Sequence, residues 1–449
     1  MKGLNIVILA AGKGERMVSS KSKVMHRIMG KPMIGHVVDR AETLYPEAVS
    51  VVVGYQKEQV EGYLKGRNVR FCIQTEQKGT AHALLTTESF LRDGPILVLY
   101  GDVPLMEDST LKNFLDTYKK TGEITFMITD VENPKGYGRV ITKNGLISKI
   151  VEENDTTEEQ KKITAINTGI CIMPRNAFDY LKAITPGNKK GEYYLTDICD
   201  VAQKDGRQVR SYHHRKASEV LGINTRRELL NASIIMKDRI LDRLMNQGVT
   251  LLDRNIYVET QVTIGKDTII YPNCYLTGNT SIGEDVTVGP NCVIHNSTLK
   301  NSVVVESFVN IDGAEIEEGA VLGPFSRVRP ASVIGKRAKI GNFVEIKNST
   351  VKEGAKASHL SYIGDSEIGR NVNIGAGTIT CNYDGKKKNK TVIEDNAFIG
   401  SNTALVAPIT VGRNTVIGAG STITKNVPED ALAVARAPQK HIKGYGRRR

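Results

Sequence analysis

Two groups of residues in this chain have the types and spacing that chemistry needs. The first is Leu9-Ala10-Ala11-Gly12-Lys13-Gly14-Glu15-Arg16-Met17, followed by Lys23. Glycines at 12 and 14 permit a tight turn and let backbone N–H groups approach phosphate oxygens closely. Lys13, Arg16 and Lys23 can offset the charge of a triphosphate. The loop is neither a dinucleotide GxGxxG, because Met17 stands at the third glycine, nor a GxxxxGK[ST] P-loop. The second group surrounds His359. A lone histidine is more often structural, but this one has Arg329, Lys347, Tyr362, Asn373, Asn382 and Tyr383 as polar and basic companions.

The elements that position the second group announce themselves by a period of six. Val258, Ile264, Ile270, Leu276, Ile282, Val288 and Ile294 form one register. Ile316 to Ile346 forms a second and Ile393 to Ile423 a third, and glycine often follows the aliphatic residue. Six fits neither the helix nor an isolated strand. It fits a parallel β-helix whose short rungs each turn one corner, with aliphatic side chains stacked inside and a small residue relieving the corner. Cys381-Asn382-Tyr383-Asp384-Gly385 and the lysine-rich stretch to Lys390 interrupt the repeat. Such an insertion cannot stack inside and should emerge as a loop on one face, often the binding face.

The first 225 residues read differently. Apolar runs at Leu4–Leu9, Ala48–Val53, Val69–Ile73, Ile96–Tyr100 and Ile124–Ile128 alternate with helical segments such as Met33–Leu44 and Ala81–Leu91. This alternation predicts a doubly wound α/β sheet, with ligands beyond the carboxyl ends of its strands. Thr225-Arg226-Arg227-Glu228 has capping-box spacing, Leu230, Ile234, Leu241 and Met245 follow at helical intervals, and Gly248 supplies a stop. The expected organisation is an α/β domain over 1–225, a linker helix over 226–248, a β-helix over 249–430 and a basic tail over 431–449.

Composition narrows the class. With 449 residues, 40% hydrophobic and 24% charged, the chain is that of a soluble protein of two or three domains. No apolar stretch is long enough for a membrane span, and the amino-terminal run is too short for a secretory signal. Cys72, Cys171, Cys199, Cys274, Cys292 and Cys381 lie far apart without metal-ligand spacing, which favours reduced thiols in a cytoplasm. The net charge of +12 is concentrated in Lys386–Lys390 and the tail, without interleaved aromatics. That pattern argues against nucleic acid and suits small polyphosphate ligands, the last three arginines reading as solvated tail.

LAAGKGERM with Lys23-Val24-Met25-His26 resembles the signature of sugar-phosphate nucleotidyltransferases. QTEQKGTAHA, with Gln74, Gly79 and Thr80, and Tyr100-Gly101-Asp102-Val103-Pro104 resemble its uridine-nucleotide branch. Gly136-Tyr137-Gly138-Arg139, Glu152, INTGI with Asn167, and GIN with Asn224 complete that resemblance. With the repeat behind it, nearly the whole chain resembles the family of bifunctional N-acetylglucosamine-1-phosphate uridyltransferase/glucosamine-1-phosphate acetyltransferases.

The resemblance implies two reactions. The phosphate of N-acetylglucosamine 1-phosphate attacks the α-phosphorus of UTP and pyrophosphate leaves, a transfer that needs positioning and charge neutralisation. Asp102 and Asn224 would hold Mg²⁺, and Arg16 and Lys23 would stabilise triphosphate charge. Leu9, Ala10, Ala11, Gly12, Gln74, Gly79, Thr80, Tyr100 and Gly101 would bind the nucleotide, and Gly138, Glu152 and Asn167 the sugar. In the second half, His359 would take the proton from the amine of glucosamine 1-phosphate as it attacks acetyl-coenzyme A. Arg329 and Lys347 would hold the sugar phosphate, and Tyr362 and Asn373 the sugar. Asn382 and Tyr383 would lie near the acetyl group, and Ala376, Ser401, Ala419 and Arg436 would line the coenzyme groove. The family uses a left-handed solenoid and a homotrimer, and its product, UDP-N-acetylglucosamine, is a precursor of cell-wall polymers. Two departures stand out: Ser22 replaces the proline usual before the lysine, and Glu15 replaces a small hydroxyl residue. Beside a triphosphate, Glu15 is expected to point outward. The competing readings are a nucleotidyltransferase whose solenoid only assembles or regulates it, and a non-catalytic scaffold with the solenoid as trimer core.

Overall fold

A computed structural model describes residues 1, 3–186 and 191–448; Arg449, the end of the basic tail expected above, lies outside the described residues. The chain divides into two compact units, residues 1–236 and 237–449.

In the first unit the apolar runs become strands of a nine-stranded sheet. Its order is Arg70–Ile73, Ala48–Val53, Asn5–Leu9, Ile96–Tyr100, Ala165–Met173, Thr125–Asp130, Arg210–His213, Leu146–Val151, Arg139–Lys143. Asn5–Leu9 pairs in parallel with Ala48–Val53 on one side and Ile96–Tyr100 on the other, and all five of its residues are buried. A strand covered on both faces has no polar side to show, which is why its sequence does not alternate. The helix expected at Ala81–Leu91 is shorter, Thr80–Leu85, and a separate 3-10 turn follows at Glu88–Phe90.

The sheet is mixed rather than parallel throughout. Ala165–Met173 runs antiparallel to both Ile96–Tyr100 and Thr125–Asp130, with a register shift between Asn167 and Cys171. Gly169 lies in that shift at φ 83°, where a Cβ would stand 2.6 Å from the Tyr100 ring. Only glycine tolerates both the conformation and the close approach.

The helix Arg226–Asn246 begins with the expected capping box. The Thr225 N–H donates to Glu228 Oε2 at 3.0 Å, and the Glu228 N–H to Thr225 Oγ1 at 3.2 Å. Of the expected apolar stripe only Leu241 is buried; Leu230, Ile234 and Met245 are exposed, and Ala232, Ile240 and Leu244 supply the rest of the buried face.

The second unit is a parallel β-helix of three sheets with eleven, ten and nine strands, as the period of six requires. Ile264, Ile282, Leu299, Ile316, Ile334, Val351, Ile368, Ile393 and Val411 stack in one internal column. The sequence register breaks between Ile294 and Ile316 because coils differ in length: Ile282 follows Ile264 by 18 residues, but Leu299 follows Ile282 by 17. The glycines after the aliphatic residues are explained by contact between coils. A Cβ on Gly265 would stand 2.5 Å from the carbonyl oxygen of Gly283 one coil later. Corners are also fixed by side-chain amides: Asn396 donates to Asn414 at 3.2 Å and Asn414 to Asp430 at 2.9 Å. The stacking runs two residues past the point where the repeat is lost, since Leu432–Ala433 pairs with Val416–Ile417. All six cysteines are free thiols. Among the described residues no helix is long and apolar enough to cross a membrane.

Candidate functional site

A cavity of about 400 Å³ opens at the carboxyl ends of Asn5–Leu9 and Ile96–Tyr100, where an α/β sheet places its ligands. Leu9, Ala10, Ala11, Gly12, Lys23, Gln74, Gly79, Thr80, Tyr100, Asp102 and Asn224 line it, all expected from the sequence. A second cavity of about 270 Å³ is lined by Gly138, Glu152 and Asn167, also expected. The two share Gly79, Thr80, Tyr100 and Glu192, so they form one continuous cleft.

Polar contacts preset the first cavity. The Lys23 ammonium pairs with the Asp102 carboxylate and donates to Asn224 Oδ1 at 3.0 Å, and both charged side chains are largely buried. A carboxylate and an amide oxygen thus converge on one cation. Hard oxygen donors of this kind also suit Mg²⁺, which keeps its remaining positions for water and phosphate. Among the described residues no group of three or more His, Cys, Asp or Glu could hold a metal, so a cation here would have few protein ligands. Gln74 Nε2 donates to the Gly79 carbonyl at 3.0 Å and lies 3.1 Å from His82 Nδ1. That fixes the amide with its oxygen left to accept from a ligand N–H. Tyr100 is pushed to a raised pKa, first by burial and then by Cys171, Glu152 and Asp102, and stays a neutral donor.

Not every expected residue faces the cleft. Arg16 is exposed and lines neither cavity. Gly101 sits behind the lining, where a Cβ would press on Val24, Ile34 and Ala10 at 3.0–3.2 Å. Glu15 points outward, as expected, and pairs with Lys13 at 3.1 Å. Ser22, in place of proline, donates its N–H to Gln59 Oε1 at 3.2 Å.

Around the second cavity, Thr196 Oγ1 donates to Glu152 Oε1 at 3.0 Å and the Asn167 N–H donates to the Gly138 carbonyl at 2.9 Å. Gln77, Tyr137, Glu192 and Thr196 also line the cleft and were not anticipated. Gln77 and Tyr137 stood within the motifs QTEQKGTAHA and GYGR, whereas Glu192 and Thr196, in EYYLT, carried no sequence signal of their own. Next to them, Asp197 is raised to about 6 by burial and then by Asp200, Glu152 and Asp155.

On the β-helix the strand register orders the second group. Ile340, Ala357, Ile374, Ile399 and Ile417 stack coil on coil, so the residues two further on form one column: Asn342, His359, Ala376, Ser401 and Ala419. His359 Nδ1 lies 2.5 Å from Asn342 Oδ1, which fixes the ring and leaves Nε2 without a hydrogen-bond partner among the described residues. The Arg436 guanidinium closes the column by donating to the Ala419 carbonyl. Asn373 belongs to the same sheet.

Arg329, Lys347 and Asn382 gather on the neighbouring sheet. Arg329 pairs with Glu345 at 3.0 Å, and Lys347 with Asp365 at 3.4 Å. Asn382 donates to Asp365 and reaches the Tyr362 hydroxyl at 3.5 Å. The insertion brings in a further basic side chain: the neighbouring Lys347 first, then desolvation and Arg329, hold the Lys388 amine below its usual range. Three clustered cations suit a phosphate. Tyr383 is exposed on the insertion, bridging to Lys388. Among the described residues no hydrogen bond joins the His359 ring to the Lys347–Asp365 group.

Comparison with known proteins fits this division. Residues 5–219 match the nucleotidyl transferase family, and residues 261–296, 313–348 and 390–425 match the bacterial transferase hexapeptide family of six repeats. The chain is 46% identical over 449 residues to the bifunctional protein GlmU of Thermodesulfovibrio yellowstonii, covering 99% of both chains. It is 45% identical to the same protein from Clostridium perfringens, covering 99% of this chain and 98% of the relative. The corresponding protein of Caldicellulosiruptor saccharolyticus is 45% identical, over 100% of this chain and 98% of its own.

Proposed function

The chain belongs to the family of the bifunctional protein GlmU, and on that premise we propose how its two units make UDP-N-acetylglucosamine in sequence. It is a bifunctional enzyme, a nucleotidyltransferase followed by a hexapeptide acyltransferase, acting on nucleotide and acyl substrates. The observation that carries the reading is the convergence of Lys23, Asp102 and Asn224 at the mouth of the nucleotide-sized cleft.

In the first unit, UTP lies in the larger cavity and N-acetylglucosamine 1-phosphate in the smaller. The Gln74 oxygen accepts from the uracil ring N–H, and the backbone of Gly12 and its neighbours meets the triphosphate. Glu152, held by Thr196, and Asn167 bind the sugar hydroxyls. The sugar phosphate oxygen forms a bond to the α-phosphorus while the bond to pyrophosphate breaks. Lys23, already held in the cleft, stabilises the triphosphate's charge, because a pre-positioned cation costs little reorganisation as charge shifts. Asp102 and Asn224 would hold Mg²⁺, which supplies further charge neutralisation. Arg16, exposed on the loop, joins only when the loop folds over the ligand.

In the second unit, the Arg329, Lys347 and Lys388 cations bind the phosphate of glucosamine 1-phosphate. His359 Nε2 takes the amine proton as nitrogen attacks the acetyl carbonyl, and the coenzyme leaves as its thiol. Asn342 keeps the ring in the tautomer that accepts at Nε2. Tyr362 and Asn373 position the sugar, and Asn382 and Tyr383 flank the acetyl group. Ala376, Ser401, Ala419 and Arg436 form the wall along which the coenzyme lies.

A homotrimer is part of this reading. Phe308, Phe325 and Phe343 stack at 4.8 and 5.4 Å between centroids, and with Leu360 they leave an exposed apolar stripe beside the His359 column. All four lie in the left-handed region, at φ between 48° and 62°, where bulky residues rarely occur. Packing by other copies of the chain would cover them and bring a neighbour's surface to His359. The free thiols suit a reducing cytoplasm.

The test of the first half is Mg²⁺-dependent pyrophosphate release from UTP in the presence of N-acetylglucosamine 1-phosphate. Purified protein that leaves both substrates intact would overturn it.

A further inference from the structure

Arg226 opens the helix Arg226–Asn246, two residues after Asn224, and does not line either cavity. Its guanidinium instead reaches two places on the amino-terminal segment. Nε donates to the Met17 carbonyl at 3.1 Å, and Nη1 lies 3.1 Å from His26 Nδ1. Guanidinium can only donate, so the ring nitrogen facing it accepts and carries no proton.

Met17 and His26 are both buried and bracket the segment that carries Lys23. One rigid planar group bonded at both ends fixes the distance between them, which a flexible ammonium cannot do. The segment needs such a constraint. Val18, directly after Met17, is exposed and held at φ 47°, a conformation a β-branched residue rarely adopts. Within the segment the Ser22 N–H donates to Gln59 Oε1 at 3.2 Å and the Lys21 N–H to Ser19 Oγ at 3.1 Å, and neither bond joins its two ends.

We infer that Arg226 is a positioning residue for uridyl transfer: it ties the segment bearing Lys23 to the turn bearing Asn224, so that the ammonium and the amide oxygen meet. The inference rests on the reading that Lys23 and Asn224 serve that reaction. Arg226 touches no substrate, and it acts through the geometry of Lys23. Displacing a charge-stabilising group by an ångström costs about 10²-fold in rate.

The test compares wild type, Lys23→Met, Arg226→Met, Arg226→Lys and His26→Leu as full-length proteins. Uridyl-transfer kinetics, acetyl transfer and thermal midpoint are measured on the same samples. In Arg226→Met, kcat for uridyl transfer is expected to fall by about 10²-fold. The KM for N-acetylglucosamine 1-phosphate, acetyl transfer and the thermal midpoint should stay near wild type. Arg226→Lys, which can reach one acceptor, should recover part of the loss. His26→Leu removes half of the clamp and should show a smaller fall in kcat. Wild-type uridyl kinetics in Arg226→Met, or a loss matched by an equal loss of acetyl transfer, would overturn the inference. Should Arg226→Met not fold, wild-type kcat in His26→Leu would overturn it. An inactive wild type, or full activity in Lys23→Met, would overturn the underlying reading and this inference with it.

Discussion

The Lys23 ammonium and the Asn224 side-chain oxygen lie 3.0 Å apart although 201 residues separate them in the chain. Asp102 holds the same ammonium from another side, and the two charged side chains are only 14% and 13% exposed. On the proposed reading, a triphosphate entering the cleft meets a cation already poised between two oxygen donors. Lys23→Met removes that charge and leaves Asp102 unpaired. Uridyl transfer should fall by about 10²–10³-fold in kcat, with acetyl transfer unchanged. Steady-state pyrophosphate release reads the first and thiol release from acetyl-coenzyme A the second.

His359 and Asn342 make a second such relationship, at 2.5 Å between successive coils. His359→Ala should lower acetyl transfer by about 10²–10⁴-fold, the range of a general base. Asn342→Ala leaves the imidazole but frees its tautomer and rotamer, so its loss should be smaller and should fall mainly on kcat. Retention of full acetyl transfer in His359→Ala would remove the assignment.

The position before the lysine gives a stability prediction. Ser22 has φ −52°, which a proline ring accommodates, and its hydroxyl is buried without a partner. Proline there would forfeit the N–H bond to Gln59, about 1 kcal/mol. It would also remove the orphaned hydroxyl and stiffen the unfolded chain by about 0.4–1 kcal/mol. Ser22→Pro should therefore unfold within a few degrees of wild type. Gln59→Ala, which strands the buried N–H, should be less stable by about 1–3 kcal/mol. Thermal melts of the two variants, compared at one scan rate, decide the order.

Asp197 predicts a pH dependence. Its folded pKa is about 6 against an ordinary 3.8, because burial and the carboxylates of Asp200, Glu152 and Asp155 disfavour its charge. The folded state therefore binds the proton more tightly. The stability this contributes is fully present below about pH 3.8 and is lost as pH rises through about 6. Asp197→Asn keeps a neutral side chain at every pH. It should raise stability at pH 7–8 by on the order of 1 kcal/mol, after discounting for solvent screening. At pH 4 it should change little. A gain of equal size at both pH values would contradict this cause.

The parts of this molecule that were legible beforehand are those where local pattern and global packing agree. Buried parallel strands such as Asn5–Leu9 and Ile96–Tyr100 read as apolar runs, and the hexapeptide period follows from one inward residue per rung. The antiparallel strand Ala165–Met173 is not legible in the sequence, because its motif residues Asn167 and Gly169 interrupt the apolar pattern with a bulge. The exposed Leu230, Ile234 and Met245 show that helical spacing alone does not say which stripe is buried. In the site, motif residues came together, but Arg16 did not, since core packing does not place an exposed loop side chain. The column from Asn342 through His359 to Ala419 was illegible because coils of unequal length shift the phase between its members. Contacts such as Arg226 with Met17 and His26 join distant segments and leave no periodic trace.

On the proposed function, oligophosphate transfer and amine acetylation occupy separate units of one chain. Wild type, Asp102→Ala and His359→Ala are each incubated with glucosamine 1-phosphate, acetyl-coenzyme A, UTP and Mg²⁺, and the products are identified by mass. Wild type should yield UDP-N-acetylglucosamine, Asp102→Ala should stop at N-acetylglucosamine 1-phosphate, and His359→Ala should leave glucosamine 1-phosphate unacetylated. Loss of both transfers in a well-folded Asp102→Ala protein, or nucleotide-sugar formation that survives it, would contradict the claim.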